Sequence, residues 1–107
     1  MDKDLVILNG LLMLTMNTDE FRAGLKRKIL SSSSQEAVKR AIDAAVKELD
    51  SHGESITLFV KFVDKLIHGL ELYDPMNQTA QEWSNIKMAR IYLLQIKLKK
   101  KFEAGLS

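Results

Sequence analysis

The stretch 83–104, WSNIKMARIYLLQIKLKKKFEA, has the most telling pattern of apolar and polar positions in the chain. At about 100° per residue, Trp83, Leu94, Leu98 and Phe102 fall on one flank of a helix. Ile86, Ala89, Leu93 and Ile96 fall on a second flank, and Met88 and Tyr92 lie nearly opposite the first. A surface helix needs one apolar stripe, whereas a helix apolar on several sides must be covered by its own bundle or by another chain.

Upstream, punctuation divides the chain into four further helical segments. Residues 4–16 place Leu5, Leu8, Leu12 and Met16 on one flank and Val6 and Met13 on another, with Gly10 as a weak point. Asn17 and Glu20 have capping-box spacing and open a segment over 18–30, in which Phe21, Leu25 and Ile29 recur every four residues. The two could also form one kinked helix. Ser31–Ser34 is the clearest break, a polar turn that also offers a cap, with Ser33 and Glu36 again at capping-box spacing.

The segment 34–50 puts Val38, Ile42, Ala45 and Leu49 on one face. Its other face alternates in sign through Glu36, Arg40, Asp43, Lys47 and Asp50, as a solvated helix does. Gly53 suits the left-handed position that ends a helix. Residues 55–73 carry the cleanest amphipathic pattern, from Ile56 through Phe59, Val63, Leu66 and Leu70 to Tyr73. Asp74-Pro75 stops it, because the residue before proline is pushed out of the α region. Thr79 and Glu82 make one more capping-box pair and launch the last helix. Connections of three to five residues favour antiparallel neighbours. The expected fold is all-α: one domain, residues 1–107, forming an up-and-down bundle of four to five helices with a long C-terminal helix.

Composition supports this reading, since 46% hydrophobic and 28% charged residues describe an ordered chain. There is no cysteine, which removes disulfides, thiol chemistry and Cys-ligated metals and fits a reducing compartment. The run from Leu5 to Met16 is not read as a secretory leader. Asp2 and Asp4 offset Lys3, no small-residue cleavage site follows, and the run is too short to span a bilayer. A soluble, cytoplasmic protein is expected.

Charge is unevenly placed. Residues 84–107 carry Lys87, Arg90, Lys97, Lys99, Lys100 and Lys101 against Glu103, a net of +5, while residues 1–83 carry −3. Lysines near a helix C-terminus suit the macrodipole, and they could also meet phosphates.

No catalytic signature is present: there is no Gly-rich phosphate loop, no Gly-x-Ser-x-Gly elbow and no His-Glu-x-x-His. Asp64, His68 and Glu71 share one strip of the fourth segment, a spacing that could offer three ligands to a divalent cation. Lys61 and Lys65 on the same face argue instead for a wet surface, and neither a metal nor another cofactor is expected. Two helices apolar around most of the wheel, the first and the last, point to surface covered by a second copy or a partner protein. The expected function is therefore non-enzymatic protein binding by a regulator, adaptor, chaperone or inhibitor. Self-association as a dimer through the first and last helices is expected, with Trp83, Met88, Tyr92, Leu93 and Ile96 as interface residues. The competing reading is nucleic-acid binding through Lys97, Lys99, Lys100 and Lys101. A membrane surface is not expected, because the last helix lacks a clean polar face.

Overall fold

A computed structural model describes residues 18–53 and 55–105. It contains α1 (Thr18–Ser31), α2 (Gln35–Ser51), α3 (Ile56–Glu71), a single 3-10 turn (Pro75–Asn77) and α4 (Ala80–Glu103). Among the described residues there is no strand. The first expected segment, 4–16, lies outside the described residues, as does Asn17.

Each boundary has a local cause. Ser32 Oγ donates to the Lys28 carbonyl at 2.7 Å, and Ser31 Oγ reaches the same oxygen at 3.3 Å, so the first two serines tie off α1. Ser34, rather than Ser33, caps α2 by accepting from the Ala37 amide at 3.1 Å. The cap falls one residue later than the spacing of Ser33 and Glu36 predicts. Gly53 adopts φ +70°, the left-handed conformation expected of it. Ser55 caps α3 by accepting from Leu58 N at 3.2 Å. Asp74 then accepts from Met76 N at 3.0 Å and starts the 3-10 turn. The capping box at the head of α4 is complete: Glu82 N donates to Thr79 Oγ1 at 3.1 Å, and Thr79 N donates to Glu82 Oε1 at 2.8 Å.

Cross-helix contacts fix the directions. Tyr92 meets Asp43 and Lys100 meets Asp50, so α4 runs parallel to α2. Lys97 meets Asp64 and Lys100 lies over Phe59, so α4 runs antiparallel to α3. Phe21 packs on Phe62, and Lys26 lies against Gly69, so α1 and α3 share a direction. The chain thus alternates up, down, up, down. It is an all-α up-and-down bundle with a long C-terminal helix, as the sequence pattern predicts. The helices do not simply follow one another round a ring. α4 packs on all three others, while α2 and α3 barely meet despite the short link between them. α1 and α4 therefore form the short diagonal, and the link from α2 to α3 crosses one end.

The core among the described residues is built from Leu25 and Ile29 of α1, Val38, Ile42 and Leu49 of α2, Phe59, Val63, Leu66 and Leu70 of α3, and Ile86, Ala89 and Leu93 of α4. Phe62 is also buried, a position outside the stripe read from the sequence, because α1 and not solvent lies over it. One polar side chain sits in this core. Asn85 is fully buried; its Nδ2 donates to the carbonyls of Ser32 at 2.7 Å and Leu30 at 3.3 Å, and its Oδ1 accepts from Gln81 Nε2 at 2.9 Å. The last carbonyls of a helix have no intrahelical partner. Asn85 supplies one, and so bonds α4 to the turn between α1 and α2.

Replacing Asn85 by Leu keeps the branched outline of the side chain but leaves those part-buried carbonyls without this donor, at a cost of about 1–3 kcal/mol. Urea unfolding is expected to show a lowered midpoint with an unchanged slope. A midpoint equal to that of the wild type would rule out this role.

Candidate protein-binding face on the last helix

Burial divides α4 into an inner side and an outer side. Ile86, Ala89 and Leu93 face inward, and Leu93 is 1% exposed. Of the five expected interface residues, Leu93 is thus a core residue, because α4 turns that flank toward α1 along the short diagonal. Trp83, Met88, Tyr92 and Ile96 are half-buried and packed against the core. Tyr92 is further tied to α2: its hydroxyl donates to Asp43 Oδ1 at 2.5 Å, and Lys39 Nζ lies 5.7 Å from its ring centre. The bond to Asp43 holds the Tyr92 hydroxyl above the usual tyrosine pKa, with burial and the nearby carboxylates adding to the effect.

Opposite the core lies a second apolar line. Ile91 is 57% exposed, Leu94 47%, Leu98 56% and Phe102 78%. Their spacing of three, four and four residues keeps them on one side over three turns. The sequence wheel groups Leu94, Leu98 and Phe102 with Trp83. The structure separates them, because the start of α4 is covered by the bundle while its second half projects this flank outward. Beside the line runs a groove of about 520 Å³, floored by Ile67 of α3 and edged by Lys87, Arg90 and Lys97.

The four C-terminal lysines are not equivalent. Lys97 Nζ bonds Asp64 Oδ1 at 2.6 Å. Lys100 Nζ bonds both Asp50 carboxylate oxygens at 3.0 Å and lies 5.3 Å from the Phe59 ring centre. These two lysines pin α4 to α3 and α2. Among the described residues Lys99 and Lys101 have no ion-pair partner. A phosphate-binding patch built on all four is therefore reduced to two.

The strip Asp64, His68 and Glu71 does not gather round a common point. Asp64 is drawn to Lys97 and Glu71 lines the α4 groove. Among the described residues no group of three His, Cys, Asp or Glu side chains could hold a metal ion. Nor is any described helix long and apolar enough to cross a membrane. Comparison with protein-family models, curated proteins and solved structures finds no match.

Serine at Leu98 or Phe102 is expected to shift unfolding free energy by no more than about 0.5 kcal/mol, as surface changes do. Alanine at Leu93 is expected to cost about 2–5 kcal/mol. Equal losses at Leu93 and Leu98 in urea melts would show that the outer line is covered within the chain.

Proposed function

We propose that this chain is a small, non-enzymatic binding protein of the cytoplasm that seats an amphipathic helix of a partner protein on the outer face of α4. The supporting observation is the exposed line Ile91, Leu94, Leu98 and Phe102 on a helix whose opposite side is fully used by the bundle. Exposed apolar side chains in a contiguous line mark interaction sites. Anchors at i, i+3, i+7 and i+11 match the way one helix reads another. A regulator, adaptor, chaperone or inhibitor acts through such a face.

The rim chooses the partner. Lys87, Lys99 and Lys101 flank the line, with Arg90 along the groove. A partner helix with acidic flanks gains complementary charge on this surface, which speeds and orients docking. A second copy presenting its own α4 is the poorer fit, because the two lysine rims would face each other. Nucleic-acid binding is weakened by the same geometry: Lys97 and Lys100 already hold carboxylates.

Fluorescence polarisation with two labelled helical peptides tests the proposal. Both carry leucines at i, i+3, i+7 and i+11; one has glutamate flanks and the other lysine flanks. The glutamate peptide is expected to bind, and L98D and F102D each to weaken it at least tenfold, since losing an anchor of about 2 kcal/mol exceeds one decade. Binding is expected to fall with salt, and less steeply for K99E/K101E. Unchanged affinity in L98D and F102D, or a preference for the lysine peptide, would refute it. Light scattering across a dilution series at low and high salt separates self-association, which would strengthen as salt screens the facing lysines.

A further inference from the structure

We propose that the groove between α1 and α2 is a docking site for residues 5–14 of this same chain. The groove, of about 480 Å³, is floored by Phe21 and Leu25 of α1 and opened by Ala41 and Ala44 of α2. Ala44 is exposed and Phe21 only half-buried. The space above Gly24 is open, with a Cβ placed there meeting only Arg27 Nη2 at 3.7 Å. This pair of helices thus has an apolar seam on its outer side, independent of the α4 face.

Connectivity selects the occupant. Residues 1–17 precede Thr18, and the wall of the groove begins at Glu20 and Phe21. Thr15, Met16 and Asn17 make a link of ordinary length for two antiparallel helices. A tethered segment meets its site at an effective concentration on the order of millimolar. The outer face of α4 is out of reach of a three-residue link. It lies on the side of α4 away from α1, roughly 15 Å from the α1 axis, and three residues span about 10 Å.

The antiparallel register supplies both shape and charge. With the link at 15–17, a helix over 5–14 would set Leu12 beside Phe21, Leu8 at Ala44 and Leu5 at Ala41. Leu5 and Leu8 repeat the i, i+3 spacing of the two alanines, so the larger side chains enter the gaps that the smaller ones leave. That register would set Asp4 beside Lys28 and keep both Asp2 and Asp4 away from Glu20 and Glu48, which line the other end of the groove.

The chain has no cysteine, so an engineered pair reports cleanly. The full-length L8C/A44C variant is expected to form an intrachain disulfide under mild oxidation, found by peptide mapping in a species of monomer mass. Free thiols in folded protein, or an interchain disulfide from exchange between copies, would overturn the proposal. A44K is the second test. In an empty groove a lysine at 44 pairs with Glu48 four residues on and leaves the melting temperature unchanged or raised. With the groove filled, Tm is expected to drop by roughly 4–8 °C, and L8D to produce a similar drop. A44K melting at or above the wild type would overturn the proposal even if the cysteine pair failed to fold. These outcomes are read without the peptide assay for α4, so either result leaves the other intact or refuted on its own.

Discussion

One helix must pack on three others, and that constraint organises the bundle. α4 spans Ala80–Glu103 and meets α1, α2 and α3 along its length. Ile86, Ala89 and Leu93 form the contact line, and Ala89 is fully buried. A methyl group at that point lets neighbouring backbones come close, where a larger side chain would hold them apart. Because α4 takes the short diagonal with α1, α2 and α3 are pushed to the long one. The short link between α2 and α3 therefore joins helices that hardly touch.

Polar groups then fix what apolar packing leaves free. Apolar side chains tolerate sliding and small rotations, whereas a buried amide accepts few positions. At one end Asn85 holds the α1–α2 turn through the carbonyls of Leu30 and Ser32. Along the helix Tyr92 bonds Asp43, Lys97 bonds Asp64 and Lys100 bonds Asp50. The ion pairs are half-exposed and each is worth at most about 1 kcal/mol. Their geometry fits one rotation of α4 about its axis, the one that buries Ile86, Ala89 and Leu93. That rotation decides which apolar flank is turned to solvent.

The binding proposal follows from the same geometry. A helix with more apolar surface than its bundle can cover leaves a remainder outside. Here the remainder is a straight line of large side chains with lysines on both sides. The pins at Lys97 and Lys100 come from the cluster that gives the chain its basic end, so much of that charge serves the fold. What is left at Lys87, Lys99 and Lys101 frames the exposed line.

Local chemistry was legible in the sequence. Periodicity located all four described helices, Thr79 with Glu82 marked the start of the last one, and Gly53 and Pro75 marked the stops. Val38, Ile42 and Leu49 read as core because one helix face held them at the right spacing, and they are core. These features depend on residues within a turn or two of each other. Three things needed the tertiary structure. Ser34 caps α2 in place of Ser33, while Ser31 and Ser32 bond back to the preceding helix. Asn85 could have been flagged as a polar residue inside an apolar sector, yet its partners lie more than fifty residues away in sequence. The wheel showed that the last helix was apolar on several flanks but could not rank them. Choosing Leu93 for the core and Leu98 for the surface required knowing where α1 lies, because burial depends on what other helices cover.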